Sequence, residues 1–359
     1  MRVARAAIGV AEPQRYPAPR TSKRTQMTLP PGLCLVTGGT GFVGSALVRA
    51  LLGAGHEVRV LARPTSDRRN LGDLSLEIAE GSLEDPQSLA RAVAKCRYLF
   101  HAAADYRLWV PDPAPMFRAN VEGTRNLMIA ALAAGVERVV YTSSVATLGL
   151  LAGGSADEDA PSRAEDMIGP YKRSKFEAEE VVRGLVLERE LPAVVVNPST
   201  PVGPRDSRPT PTGRLILEAA RGRMPGFVDT GLNIVHVDDV AAGHLAAAER
   251  GKVGERYILG GENLSLAEIL AEVARVVGRR PPRLRVPYLV AFPVAITTEV
   301  VARFTGREPF ATRDSVRMAK KKMYFTSAKA SRELGYLPRP ARHAIVDAVG
   351  WFKENGYLG

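Results

Sequence analysis

The stretch LCLVTGGTGFVGSALVRALL, residues 33–52, decides the fold of this chain. An apolar run of strand length leads into a glycine-rich turn and then into a pattern typical of a helix. The spacing GxxGxxG allows a tight turn, close approach of backbone to a pyrophosphate, and close helix–strand packing, while the N–H groups at the helix start attract the anion. The stretch therefore predicts a dinucleotide-binding loop. The residues assigned to cofactor contacts there are Gly38, Thr40, Gly41, Phe42, Val43 and Gly44.

Apolar runs of strand length recur along the chain and alternate with helical patterns, such as those over Gly44–Leu52 and Val121–Ala134. This alternation is typical of βαβ units, and it predicts an α/β fold with a Rossmann-type, doubly wound parallel sheet. A helix is expected to start at Asp238, and from about Gly261 the pattern is mostly helical. The runs after the first are VRVLA (58–62), LEIAE (76–80), YLFHA (98–102), VVYTS (139–143), AVVVN (193–197) and NIVHV (233–237).

These patterns divide the chain into three parts. Residues 1–30 predict a disordered basic extension, within which Met27 is a candidate start of the protein. Residues 31–204 predict an NAD(P)-binding Rossmann domain, which about 232–260 complete. Residues 205–231 and 261–359 predict a smaller, mostly helical substrate lobe.

The composition of the 359 residues, 45% hydrophobic and 24% charged, is that of an ordinary globular protein. Residues 1–26 hold six Lys/Arg and one Glu and so contribute about half of the net charge of +11. The rest suits nucleotide phosphates, and we expect no nucleic-acid partner. Two cysteines, Cys34 and Cys96, are too few for a disulfide framework or a zinc site. A secretory signal and a membrane-spanning run are both missing from the sequence, which favours a cytoplasmic location.

The end of the second strand bears on the choice of cofactor. An acid there would bind the ribose 2′-hydroxyl of NAD, whereas an arginine accommodates the 2′-phosphate of NADP. The sequence LARPTSDRR places Arg63 at this position, with Ser66, Arg68 and Arg69 close behind. Solvated loop arginines would give the same pattern. We favour NADP as the cofactor, with NAD as the alternative.

A candidate catalytic pair lies in GPYKRSKFEAEEVV, where Tyr171 and Lys175 are four residues apart at the start of a predicted helix and so share one face. An ammonium beside the phenol would lower the pKa of the tyrosine and could also bond the nicotinamide ribose. Ser143 and Ser144 end the fifth strand, and a serine hydroxyl could hold the substrate oxygen against the phenol. This set predicts proton transfer coupled to hydride transfer.

From Leu33 to the C-terminus the chain resembles the extended short-chain dehydrogenases/reductases, of the NAD-dependent epimerase/dehydratase type. The matching segments are VTGGTGFVG, FHAAA, NVEGT, YTSS, YKRSK, NPSTPVGP, HVDDVA and SRELGYLPRP. The resemblance implies that Ser144 is the family serine, that Asn120 supports the active site, and that Pro198 to Thr200 cradle the nicotinamide. It also implies cofactor contacts by Tyr171, Lys175, Ser82, Leu83, Ala102 and Ala103, although Ser82 stands where the family often has an aspartate.

Within that family, AADYRLWVPDP, NPSTPVGPRDSRPTPTGR, MPGFVDTGLNIVHVDDVAAGH and RMAKKKMYF resemble the group named hopanoid-associated sugar epimerases, which is similar to dihydroflavonol 4-reductases. The resemblance implies a small-molecule substrate that is sugar-like or lipid-linked. From this resemblance we predict a hopanoid-associated sugar epimerase. The alternative is an NADPH-dependent ketone reductase like the dihydroflavonol 4-reductases, since Ser-Tyr-Lys chemistry serves both. A third alternative, from another class, is a dinucleotide-binding sensor without catalysis, against which the complete Ser-Tyr-Lys set argues.

Other polar residues carry alternative interpretations. Tyr106, Arg107 and Trp109 follow the fourth strand and are candidate substrate contacts, as are the loop arginines Arg205, Arg208 and Arg214. Asp238 and Asp239 suit a helix N-cap better than a metal or acid pair. The five histidines show no ligand spacing, so we expect no metal.

Val286–Thr298 is an uncharged stretch too short to span a bilayer. It could pack in the substrate lobe, cover an apolar substrate or lie on a membrane, where Lys320, Lys321 and Lys322 would add attraction to anionic lipid. The sequence leaves peripheral membrane contact and a homodimer open.

Overall fold

The computed structural model describes residues 29–72, 74–151, 153–305 and 312–358, without the side chain of Arg303. The extension predicted for residues 1–30 falls almost wholly on residues 1–28, so that prediction, and Met27 with it, lies outside the described residues.

The described residues form twelve strands and twelve α-helices. The strands are β1 (Leu33–Thr37), β2 (Glu57–Ala62), β3 (Glu77–Glu80), β4 (Tyr98–His101), β5 (Arg138–Thr142), β6 (Ala193–Pro198), β7 (Thr200–Val202), β8 (Gly226–Phe227), β9 (Gly231–His236), β10 (Arg256–Leu259), β11 (Glu262–Ser265) and β12 (Leu284–Arg285). The helices are α1 (Phe42–Gly53), α2 (Pro86–Val93), α3 (Ala114–Phe117), α4 (Gly123–Ala133), α5 (Gly169–Arg189), α6 (Pro211–Ala220), α7 (Val237–Arg250), α8 (Leu266–Val276), α9 (Tyr288–Thr305), α10 (Arg313–Ala319), α11 (Ala328–Leu334) and α12 (Ala341–Glu354).

The central sheet has seven parallel strands in the order β3-β2-β1-β4-β5-β6-β10. The chain builds outward from β1 on one side and then crosses to the other, so the crevice between the carboxyl ends of β1 and β4 is a topological switch point, where such folds bind ligands. The prediction of a Rossmann-type α/β fold is confirmed.

The six strand runs expected between residues 33 and 197 each coincide with a strand of this sheet to within one or two residues. The seventh strand of the sheet, β10, was not predicted from the sequence. The run NIVHV forms β9, which belongs instead to a three-stranded sheet with β7 and β11.

Apolar side chains cover both faces of the central sheet, as the continuous apolar runs require. One face packs against α1, α7 and α11 through residues such as Leu47, Val240 and Leu334. The other packs against α2, α4 and α5, where Leu127 and Val182 are fully buried. The sheet is therefore the middle of three layers, and its carboxyl edge is left for the site.

A separate apolar cluster joins α6, α8, α12 and β9, with Ile216, Ile269, Ile345 and Phe352 fully buried in it. It lies among the segments that the sequence predicts as the substrate lobe, and the boundaries of that lobe stay a prediction. In the described residues, none of the helices is long and apolar enough to cross a lipid bilayer.

We expect Gly44→Ala to destabilise the fold, because a Cβ atom at residue 44 would lie 2.0 Å from the carbonyl oxygen of Gly38. Such overpacking costs about 2 kcal/mol or more in the free energy of unfolding. Gly53→Ala, in the same helix, is the matched control, since its Cβ would meet nothing within 4 Å and alanine is the better helix former. Urea unfolding followed by circular dichroism measures both, and equal stability of the two variants would contradict the prediction.

Candidate active site

The glycine loop after β1 packs directly against the backbone that follows β4. Gly38 has φ +71°, and a Cβ there would lie 2.7 Å from the backbone nitrogen of Ala103, so glycine is required on both counts. Gly41 is the N-cap of α1 and offers no side-chain cap, which leaves the amides of Phe42 and Val43 without a side-chain acceptor. This is the arrangement that binds a pyrophosphate at a helix start.

The opposite end of the predicted cofactor site also fits a nicotinamide. Ser199 lies between Pro198 and Thr200, and its hydroxyl is buried without a hydrogen-bond partner among the residues that the structure describes. A buried hydroxyl normally has a partner, and a polar group on the cofactor would supply one. The residues present therefore fit a dinucleotide at both ends of the carboxyl edge.

Two loops that follow β2 and β3 flank the adenosine end. Arg63 is exposed and, among the described residues, has no ion pair, whereas Arg68 pairs with Glu80 at 2.8 Å and Arg69 with Asp67 at 2.7 Å. Among the described residues, Arg63 is thus the one of these three arginines whose guanidinium is not paired with a carboxylate, and it can bind a ligand.

The loop after β3 contains Ser82 and Leu83. The Ser82 hydroxyl accepts a hydrogen bond from the backbone amide of Glu84 at 3.2 Å. Leu83 packs closely on the start of α4, since a Cβ added at Gly123 would lie 2.7 Å from the Cβ of Leu83. The loop is held in place by these contacts, and its contact with adenine stays a prediction.

Helix α5 carries Tyr171 and Lys175 one turn apart at the carboxyl edge of the sheet. The Lys175 ammonium is buried and donates to the Tyr141 hydroxyl at 3.0 Å and to the Thr142 carbonyl at 2.7 Å. Burial lowers the pKa of Lys175 to about 8, and the carboxylate of Glu179 opposes that shift. Two of its three N–H groups have acceptors, so one is left for a ribose hydroxyl.

The phenol of Tyr171 differs from the sequence-based expectation. Burial raises the pKa of Tyr171, and the group that lowers it is the Ser144 hydroxyl, through a hydrogen bond, rather than the Lys175 ammonium. The reason is that Lys175 is held on Tyr141 and Thr142. In this arrangement Tyr171 is a protonated phenol at neutral pH, with Ser144 beside it, as expected of a proton donor.

The structure distinguishes the two serines after β5. The Ser143 hydroxyl donates to the buried carboxylate of Glu179, which also accepts from Thr147 at 2.9 Å and Asn197 at 3.1 Å and pairs with Arg256 at 3.4 Å. Ser143 is therefore committed to a buried charge, whereas Ser144 is half-buried and faces Tyr171.

Asn120 lies in a π-helical turn, Arg118–Glu122, between α3 and α4, a distortion often found at functional sites. Its amide donates to the Ser174 hydroxyl at 3.0 Å and its carbonyl oxygen accepts the amide of Asp105 at 2.7 Å. Ser174 in turn donates to the Tyr171 carbonyl at 2.9 Å. Asn120 thus ties the start of α5 to the loop after β4.

Two buried histidines, which the sequence did not single out, form hydrogen bonds at the carboxyl edge of the sheet. The ring of His101 is hydrogen-bonded to the hydroxyls of Thr37 at 2.6 Å and Thr124 at 2.9 Å. The Thr124 hydroxyl donates to the backbone carbonyl of Asn120. Because burial lowers the pKa of His101 to about 3, the ring is neutral, donates from Nε2 and accepts at Nδ1. His244, whose pKa burial lowers to about 4, is also neutral but in the other tautomer: its Nδ1 donates to the Val240 carbonyl and its Nε2 accepts from Thr142.

A family model described as the NAD dependent epimerase/dehydratase family matches residues 34–260. The chain belongs to this family. Its resemblance to the extended short-chain dehydrogenases/reductases is confirmed. The family contains NAD-dependent oxidoreductases and epimerases, which supports an enzyme with a dinucleotide cofactor and a small-molecule substrate.

Two relatives match over nearly their whole length. A Synechocystis protein named "Putative dihydroflavonol 4-reductase" is 45% identical, over 90% of this chain and 95% of its own. "Sterol demethylase protein B" of Methylococcus capsulatus is 38% identical, over 90% of this chain and 99% of its own.

Two solved structures share the architecture. The structure titled gox2253 is 56% identical, with a TM-score of 0.83 over 91% of this chain and all of its own. DesIV, a dTDP-glucose 4,6-dehydratase of Streptomyces venezuelae solved as a double mutant with NAD bound, is 26% identical, with a TM-score of 0.73 over 90% of this chain and 97% of its own. Homologous family members therefore bind NAD, and the choice of NADP by this chain stays a proposal.

The aspartate pair of this family member is structural, but the predicted N-cap was wrong. His236 is the N-cap of α7 and accepts the Asp238 amide at 3.0 Å, because the helix starts at Val237, one residue earlier than expected. Asp238 and Asp239 lie in the first turn and pair with Arg205 and Arg339. Their charges are thus neutralised by arginines.

The candidate substrate contacts are placed as follows. Arg205 is paired with Asp238, Arg208 is mostly exposed and 3.8 Å from Asp67, and Arg214 lies exposed on α6. After β4, Arg107 pairs with Asp105, and Tyr106 and Trp109 are at least partly exposed in the same loop. Their contact with substrate stays a prediction.

Lys172, next to Tyr171, is a further cation that sequence reasoning missed. It is half-buried, and burial together with the nearby ammonium of Lys321 lowers its pKa to about 8. The signal was the first basic residue in YKRSK, which no spacing rule distinguishes from a surface lysine.

We expect dinucleotide affinity to fall as the pH rises through about 8, the pKa of Lys175 in the protein without nucleotide. Below that pH the ammonium is charged and attracts the anionic cofactor, whose binding raises the pKa of Lys175; above it, binding must take up a proton. Titration calorimetry between about pH 7 and pH 10 measures this loss.

Two variants control this measurement. Lys175→Met should bind weakly with a flat profile, whereas Lys172→Met should keep the profile although the pKa of Lys172 is also about 8. A wild-type affinity that stays constant across the range would contradict the assignment of Lys175 to the cofactor.

Proposed function

We propose that this chain is an NADPH-dependent reductase that converts a ketone of a ring-containing small molecule into a secondary alcohol. The observation that carries the proposal is the half-buried phenol of Tyr171, with its pKa raised, beside Ser144 and one helical turn from the buried ammonium of Lys175. A reductase needs a proton donor at the carbonyl oxygen, and a phenol with a raised pKa holds its proton until the oxygen develops charge.

The bound dinucleotide supplies the hydride from C4 of its nicotinamide. The chain contributes the proton chemistry. Ser144 donates a hydrogen bond to the substrate oxygen, and Tyr171 transfers its phenolic proton to the same oxygen as the carbonyl becomes an alcohol. Lys175 binds the ribose hydroxyls with its remaining N–H group.

Asn120 acts as a positioning residue. Its bonds to Ser174 and to the backbone of Asp105 fix the first turn of α5 relative to the loop after β4. A shift of about 1 Å in such a turn would misalign the phenol and the substrate oxygen, and misalignment of this size lowers rates by about 100-fold.

The names of the relatives favour ring ketones of low polarity over sugars as the substrate class, since one is named for a dihydroflavonol and the other for a sterol. The exposed arginine at residue 63 favours NADP as the cofactor. Both suit a reductase that releases its oxidised cofactor after each turnover.

A second candidate is a sugar epimerase associated with hopanoid lipids, and the family itself favours it, since epimerases give the family its name. An epimerase removes hydride and returns it to the same substrate, so its nicotinamide cofactor is regenerated and stays bound. The nucleotide that accompanies the purified protein distinguishes the two: tightly held NAD supports the epimerase, and an empty site that prefers NADPH supports the reductase.

We expect Tyr171→Phe to abolish NADPH oxidation with a dihydroflavonol or a keto-sterol as the probe, by at least about 100-fold, because general acid catalysis contributes that much. Nucleotide affinity should stay within about threefold of the wild type, since Lys175 is unchanged. Absorbance at the NADPH band measures turnover, and calorimetry measures binding.

Tyr98→Phe is the matched control, since this hydroxyl donates to the Pro30 carbonyl at the amino end of β4, the opposite edge of the sheet. A Tyr171→Phe variant that turns over normally would refute the role of the phenol. Tight nucleotide binding by the wild type without turnover of any sugar, ketone or hopanoid precursor would favour the non-catalytic sensor.

We expect Arg63→Asp to reverse the cofactor preference from NADPH to NADH. Loss of a charge-assisted bond to the 2′-phosphate lowers NADPH affinity about 10- to 100-fold, while an acid in its place accepts the 2′-hydroxyl of NADH. Arg68→Ala is the control, because Arg68 is paired with Glu80. Binding of both nucleotides by calorimetry tests this, and an unchanged NADPH-to-NADH ratio in Arg63→Asp would overturn the NADP assignment.

A further inference from the structure

Helix α9 exposes an apolar face along its described length. At 100° per residue its outward residues fall within an arc of roughly 160°, over a helix about 27 Å long. Leu289 and Phe304, near its two ends, are 84% and 88% exposed. The face, called the α9 face from here on, comprises Leu289, Val290, Val294, Val300, Val301 and Phe304.

The opposite side of α9 is the one packed against the protein. Ala295 and Ala302 are buried there, and the buried Glu299 accepts from Arg313 of α10 at 2.7 Å. The α9 face is thus not a core face left bare by a loose helix, since the core-facing side of α9 is already occupied. A surface helix normally turns polar residues outward, and α9 reverses that rule.

Basic residues gather at the N-terminal end of the α9 face. Arg285 and Lys320 line one small cavity of about 220 Å³ with Tyr288, and the Lys320 ammonium lies 3.9 Å from the centre of the Tyr288 ring. Arg283, Lys321 and Lys322 are exposed in the same two segments, which precede α9 and follow α10. A single acid, Asp229, shares the cavity.

We propose that the α9 face is a docking surface for a membrane that contains anionic lipid. An apolar helix face flanked by lysine and arginine, with a tyrosine at the boundary, is what the interfacial zone of a bilayer binds: the apolar side chains enter the acyl boundary and the cations meet the lipid phosphates. The helix lies in the plane of the surface and does not span the bilayer.

The position of α9 connects the docking surface to the candidate active site. Helix α10 packs on α9, and Asp314 of α10 lies against Gly169, two residues before Tyr171. A membrane on the α9 face would therefore lie close to α10, and through α10 to the start of α5. A substrate dissolved in the bilayer would have a short path to Tyr171.

Vesicle co-sedimentation tests the proposal without any measurement of turnover, so its outcome is independent of the proposed reaction. The wild type should bind vesicles of phosphatidylcholine and phosphatidylglycerol in equal amounts and bind phosphatidylcholine alone more weakly. The double variant Leu289→Glu/Phe304→Glu should bind at least about tenfold more weakly. Both residues are exposed, so the variant should fold normally, which circular dichroism checks.

Leu187→Glu is the matched control, because Leu187 is also 84% exposed but lies on α5, away from α9, and it should bind as the wild type does. Lys320→Gln/Lys322→Gln should lose the preference for phosphatidylglycerol, by roughly fivefold per charge.

Three outcomes overturn the proposal. They are failure of the wild type to sediment with the anionic vesicles, equal binding by Leu289→Glu/Phe304→Glu, and a wild-type dimer in sedimentation velocity that the same double variant dissociates. The last would assign the α9 face to a second copy of the chain.

Discussion

The buried ammonium of Lys175 is the interaction around which the site is arranged. A buried charge is costly unless it is hydrogen-bonded and compensated. Lys175 meets this condition with the Tyr141 hydroxyl and the Thr142 carbonyl, and with the carboxylate of Glu179 one turn further along α5. Glu179 is itself satisfied by donors from the β5 loop, β6 and β10. The positions of α5 and three strands are thus fixed by one pair of opposite buried charges.

The same requirement explains what the sequence could predict. The glycine loop and the Tyr171–Lys175 spacing are local patterns, so they predicted the fold and the pair that the structure places one turn apart at the carboxyl edge. The contacts of Glu179, His101 and His244 join residues about 20 to 100 positions apart in sequence, and no periodicity links them. The N-cap His236 escaped prediction because the start of a helix depends on one or two residues.

The chemistry and the proposed docking surface lie on neighbouring elements. The phenol of Tyr171 stands at the start of α5, and α10, which packs on α9, lies against that start. The α9 face is apolar, and the carboxyl edge of the sheet nearby carries the polar residues of the site. Together they suit a substrate that is mostly hydrocarbon with one reacting oxygen. This physical division agrees with a ketone reductase for lipid-like molecules better than with a sugar enzyme.

The most direct test is a single turnover with NADPH that carries deuterium at both C4 positions and a keto-sterol or dihydroflavonol probe, followed by mass spectrometry of product and cofactor. A ketone reductase places one deuterium on the new carbinol carbon and releases one equivalent of NADP⁺ that keeps the other. If no deuterium reaches either probe, and a sugar nucleotide is instead inverted without net oxidation of the cofactor, the chain is an epimerase and not a reductase.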